Sequence, residues 1–137
     1  MKKYMMVLLA VLLVGGLAGC SNENSTGGTA EMNNIYTQIS MDEAVVMMEE
    51  ETDYIILDVR TPEEFAEKHI PNAINVPNET IGSEEIPELP RKDQMILVYC
   101  RSGNRSKQAA EKMVVLGYSN VYEFGGINDW KGETVGE

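Results

Sequence analysis

MILVYCRSGNRS, residues 95–106, joins an apolar run to a helical stretch through a loop built around one cysteine. Met95, Ile96, Leu97 and Val98 suit a strand buried on both faces, as in the middle of a parallel sheet. Residues 105–116 predict a helix, with Ala109, Ala110, Met113 and Val114 on its inner side and Gly117 as its stop. Between them stand Cys100, Arg101, Ser102, Gly103, Asn104, Arg105 and Ser106. The start of a helix offers unpaired N–H groups and a partial positive charge. Such surroundings favour a thiolate, the nucleophilic form of cysteine. Gly103 permits positive φ, so that successive N–H groups turn inward as an anion nest. Arg101 and Arg105 add full positive charge, and Ser102 and Ser106 add hydroxyl donors. An anionic, oxygen-rich substrate fits this loop. A buried cysteine can be packing alone, but packing needs neither the arginines nor the glycine.

Outward from this loop, strands alternate with helices. A short strand is expected at 35–39. Ser40 and Glu43 form a capping-box pattern at the head of a helix whose Met41, Ala44, Val45 and Met48 face the core. Residues 54–59, YIILDV, read as a second continuous apolar strand. Thr61, Pro62 and Glu64 mark another helix start, for a short helix ending near Lys68. A strand follows at 73–76, then a Pro- and Glu-rich irregular stretch over 78–92. The last strand is expected at 120–124, followed by Gly125-Gly126 and a short helical turn carrying Trp130. This alternation predicts a parallel α/β sheet.

The chain has 137 residues and a formal net charge of −11, with no basic stripe. Nucleic acid is therefore not an expected partner, and the acidic body gains nothing from an anionic membrane surface. The N-terminus differs from the rest. Lys2 and Lys3 precede an almost wholly apolar stretch over 4–14, and then comes Leu17-Ala18-Gly19-Cys20. This is the layout of an export signal; its apolar part is shorter than a spanning helix requires. Leu-Ala-Gly-Cys resembles the bacterial lipobox, which implies lipidation of Cys20 as the first mature residue. The expected organisation is a signal peptide at 1–19, lipidated Cys20 and a flexible polar tether at 20–34, and a single domain at 35–137. Localisation would be extracytoplasmic, on the outer face of the cell membrane or in the periplasm, through the lipid anchor only. There are two cysteines and one histidine in all. With Cys20 lipidated, Cys100 is the one thiol left, which points to a reactive group. So few ligands argue against a zinc centre, and no metal is expected.

Three blocks, taken in order, resemble the rhodanese domain: DVRTPEEFAEKHIPNAINVP at 58–77, VYCRSGNRS at 98–106 and LGYSNVYEFGGINDW at 116–130. The resemblance implies a rhodanese-like α/β fold, a parallel five-stranded sheet flanked by helices. It implies a persulfide on Cys100, cradled by the loop from Cys100 to Arg105, and no other cofactor. Cys100 and Arg105 enclose four residues. That loop length is similar to the sulfurtransferases of the family; phosphatases and arsenate reductases of the same fold have one residue more. The implied reaction takes sulfur from a small anionic donor such as thiosulfate and gives it to cyanide or a thiol; apart from the resemblance, a monomer is the default expectation. The alternatives are a non-catalytic binding or sensing module and, on the shorter loop less favoured, an arsenate reductase or phosphatase. The resemblance gives Asp58 and Arg60 a supporting role, holding neighbouring loops, with an ion pair expected between Arg60 and Glu64. It places His69 in a structural turn and makes Trp130 a packing anchor. Lys68 and Asn72 depart from the family pattern at glycine-favouring places; Asn tolerates left-handed backbone better than Lys.

Overall fold

The computed structural model describes residues 35–137. The expected signal peptide, Cys20 and tether lie outside the described residues. Within them the chain alternates β1 (Thr37–Gln38), α1 (Met41–Glu50), β2 (Tyr54–Asp58), α2 (Pro62–Glu67), β3 (Ile74–Asn75), β4 (Met95–Cys100), α3 (Asn104–Val115) and β5 (Val121–Gly126). All strand pairs are parallel, and the sheet order is β1-β5-β4-β2-β3. This is the expected five-stranded parallel sheet flanked by helices. No helix among the described residues is long and apolar enough to cross a membrane.

β4 lies at the centre of the sheet, which explains its unbroken apolar sequence. Ile96, Val98 and Cys100 face the side covered by Ala109, Ala110 and Met113 of α3. Leu97 and Tyr99 face the other side, with Ala44 of α1, Phe124 and Ile127. Period-two alternation thus puts the Cys100 thiol on the same side as α3. Each of Ile96, Leu97 and Val98 is fully buried, worth about 1.5–3 kcal/mol apiece.

Both predicted capping boxes form. Ser40 Oγ accepts the Glu43 N–H at 3.2 Å while the Glu43 carboxylate accepts the Ser40 N–H at 2.7 Å. Thr61 and Glu64 repeat the exchange at 3.3 and 3.0 Å, with Pro62 opening α2. Asn72 has φ 66, the left-handed turn its type allows, whereas Lys68 is extended and unstrained. The irregular stretch before β4 contains a 3-10 turn, Asn78–Thr80, and buries Ile81, Ile86 and Leu89 against the α3 side of the core. Tyr118 Oη anchors it by donating to the Leu89 carbonyl at 2.7 Å.

The end of the chain corrects the sequence expectation. β5 runs through both glycines to Gly126, and the 3-10 turn Ile127–Asp129 ends before Trp130. The cause is an irregular register: Val98 pairs with Glu123, but Cys100 pairs with Gly126. One extra residue on β5 makes a bulge, with Gly125 at φ 96. Trp130 packs, partly buried, on the α1 side of the sheet.

Candidate active site

The sulfur sits where β4 ends and α3 begins. Cys100 is 1% exposed and is not disulfide-bonded. Its Sγ accepts the Gly103 N–H at 3.0 Å and lies 3.4 Å from Ser106 Oγ. Gly103 has φ 104 and caps α3, the positive-φ position the loop requires. The peptide dipoles of α3 therefore end beside the thiol. Arg101, Ser102 and Asn104 are exposed on the outer rim of the loop.

Two clamps fix the loop from outside. The Arg101 carbonyl accepts the Asn128 N–H at 3.2 Å, and Gly126 passes so close beneath that any Cβ there would collide with that same carbonyl. On the other flank, Arg105 makes a two-toothed ion pair with Glu64, Nη1 to Oε2 at 2.7 Å and Nη2 to Oε1 at 2.9 Å. Hydrogen bonds from Arg105 hold the Glu64 carboxyl down at about 2, with the Thr61 N–H helping and partial burial opposing. The expected pair between Arg60 and Glu64 does not form. Arg60 instead grips Asp58, Nη2 to Oδ2 at 2.6 Å and Nε to Oδ1 at 3.0 Å, because the two lie on one turn at the end of β2. This leaves Glu64, at the head of α2, to Arg105.

Asp58 and Arg60 are buried, and Arg60 also donates to the Lys68 carbonyl at 2.7 Å. They tie the ends of β2 and α2 together under Tyr99, whose ring lies 5.7 Å from the guanidinium. Tyr99 Oη accepts the Ile70 N–H at 3.1 Å, and its phenol is pushed up by burial first and then by the Asp58 carboxylate. Removing one member of a buried ion pair leaves the other uncompensated, at a cost of about 3–5 kcal/mol. His69 stacks on Phe65 at 3.8 Å, and its Nδ1 lies 2.8 Å from the Phe65 carbonyl oxygen, so it is a turn residue away from the sulfur. No group of three or more His, Cys, Asp or Glu among the described residues could hold a metal ion.

The sequence expectation missed Glu123. This carboxylate is 1% exposed on the α3 side of β5. Its Oε1 accepts the Ser106 hydroxyl at 2.6 Å and the Gly125 N–H at 2.8 Å. The signal was available in the alternation of β5: Val121 is a core position, and Glu123, two residues on, must share its face.

A cysteine sulfur in this cradle can attack a sulfur electrophile, and the Gly103 N–H can stabilise the negative charge that results. The family model of the rhodanese-like domain matches residues 40–133. The chain belongs to the rhodanese family. Relatives of this rhodanese-like domain carry sulfurtransferase names. It is 36% identical over 73 residues to the thiosulfate sulfurtransferase PspE of Escherichia coli K12, covering 53% of this chain and 70% of that protein. It is 35% identical over 98 residues to the thiosulfate sulfurtransferase GlpE of Coxiella burnetii, covering 71% and 89%. A rhodanese-related protein from Thermoplasma volcanium superposes with a TM-score of 0.62 at 31% identity, over 74% of this chain and all of the other. Family and relatives together support a sulfurtransferase activity in general.

Proposed function

We propose that this rhodanese-like domain is a thiosulfate-using sulfurtransferase that works through a persulfide on Cys100. The observation that carries the proposal is the cradle itself: Sγ held by the Gly103 N–H at the head of α3, inside a six-residue loop. The Cys100 thiolate attacks the outer sulfur of thiosulfate, the sulfur–sulfur bond of the donor breaks, and sulfite leaves with the bonding pair. The loop N–H groups stabilise the terminal sulfur of the persulfide. Cyanide or a thiol then attacks that sulfur and regenerates Cys100.

The two arginines divide the work. Arg105 is engaged with Glu64 and shapes the loop, while Arg101 is exposed and makes no ion pair among the described residues. Arg101 draws the anionic donor in.

Two-step covalent chemistry gives ping-pong kinetics. With thiosulfate and cyanide varied, initial-rate plots are expected to be parallel, and Cys100→Ser is expected to make no thiocyanate. Intersecting lines would mean that both substrates bind before transfer, against a free persulfide form. Arg101→Ala is expected to raise the KM for thiosulfate about tenfold, the loss of roughly 1.4 kcal/mol of charge attraction, with kcat nearly unchanged.

A further inference from the structure

Cys100, Ser106 and Glu123 form a buried line. Sγ lies 3.4 Å from Ser106 Oγ, and Ser106 Oγ lies 2.6 Å from Glu123 Oε1. None of the three is more than 1% exposed. The Ser106 hydroxyl also lies 2.9 Å from the Gly103 carbonyl and 3.4 Å from that of Gly125, but the carboxylate contact is the shortest and the one to a charge. Donating its own proton toward Glu123, Ser106 turns a lone pair to the thiol. Glu123 Oε2 has no hydrogen-bond partner among the described residues. The Gly125 N–H could be capped by an uncharged amide equally well. A buried carboxylate with one bare oxygen is costly as mere scaffold and asks for a chemical role.

We propose that Glu123 is a positioning residue that takes the Cys100 proton through Ser106 and returns it at the end of each cycle. This rests on the persulfide reading of Cys100. Before the attack, the S–H proton passes to Ser106 Oγ while the Ser106 proton passes to Glu123, which leaves Cys100 as the thiolate. The electron pair left on Sγ forms the bond to the outer sulfur of thiosulfate, and sulfite departs with the pair of the broken bond. When cyanide or a thiolate removes the outer sulfur, the pair returns to Cys100 and the proton travels back. No oxidant or reductant is needed. Of the other ionisable groups, Arg105 lies in the field of Cys100 and Tyr36 in that of Glu123. The Tyr36 phenol is raised by burial and then by Glu111 and Glu123.

The test is the rate at which iodoacetamide alkylates Cys100 in the full chain as a function of pH, which needs no sulfur donor. Where thiol and carboxylate share one proton, the thiolate fraction is set internally, so the wild-type rate is expected to hold a plateau through mildly acidic pH. Glu123→Gln keeps the acceptor for Gly125 and Ser106 but cannot take a proton. Its rate is expected to climb in a single step and to fall at least ~10-fold below wild type in the plateau region. Ser106→Ala should also lose the plateau and Ser106→Thr keep it, which covers the case of a poorly folded Glu123 variant. A wild-type profile without a plateau overturns the proposal, as does a Glu123→Gln curve that matches wild type or merely moves to lower pH. Thiocyanate formation by the same wild-type sample reads the sulfur-transfer function separately. A plateau without thiocyanate would keep the relay and sink the transferase.

Discussion

Glu64 shows how one carboxylate can serve two structures. It closes the capping box of α2 through the Thr61 N–H and holds Arg105 beside the cysteine loop. Its folded-state pKa of about 2 stands below the ordinary 4.5, so the ion pair contributes stability above the ordinary value and loses it as pH falls toward about 2. Both partners are about a quarter exposed, so solvent screening keeps the contribution near ~1 kcal/mol. Glu64→Gln is expected to lower stability by that amount at neutral pH. Its stability should also fall less than wild type between pH 4.5 and 2; equal acid sensitivity in urea titrations would contradict the assignment. The sequence made Cys100, Gly103 and the capping residues legible because each acts on its own backbone neighbours. It misassigned Glu64, which has two arginines within reach. Which one it takes depends on Asp58 already holding Arg60, a choice visible only in three dimensions.

At the scale of elements, the cysteine loop is held from below by the bulge in β5. The extra residue there carries β5 under the loop, where Gly126 meets the Arg101 carbonyl. Gly126→Ala is expected to displace the Arg101 backbone and cost 10-fold or more in sulfur transfer, in keeping with the price of a small misplacement of reacting groups. The sheet should survive with the far-ultraviolet circular dichroism of wild type, and undiminished transfer would show that the close approach does not matter. The helices and long strands were legible from period and capping. The bulge was not, because its residues, Gly125-Gly126, also read as a plain turn. Glu123 lay inside the strand expected at 120–124, where alternation from Val121 puts it on the core face; its partners Ser106 and Gly125 come from α3 and the bulge and show only in three dimensions.

At the scale of the whole molecule, the sheet order places β4 between β2 and β5, so the ends of all three strands supply the site. That follows the rule that open α/β sheets place their sites at the carboxyl ends of strands. The acidic body offers no membrane attraction of its own, and we propose that Cys20 provides it through lipid. Cells expressing the full chain and fed labelled palmitate are expected to label the wild type and not Cys20→Ser, with the unlabelled variant lost from the membrane fraction. Label on both, or on neither, would contradict the lipid anchor. The central claim, a persulfide on Cys100, is tested most directly by mass. The full chain and Cys100→Ser are incubated with thiosulfate and weighed intact without reductant, before and after cyanide. The account predicts one added sulfur atom on the wild type alone, on the peptide containing Cys100, removed by cyanide as thiocyanate. No added sulfur on the wild type, or the same gain on Cys100→Ser, would contradict it.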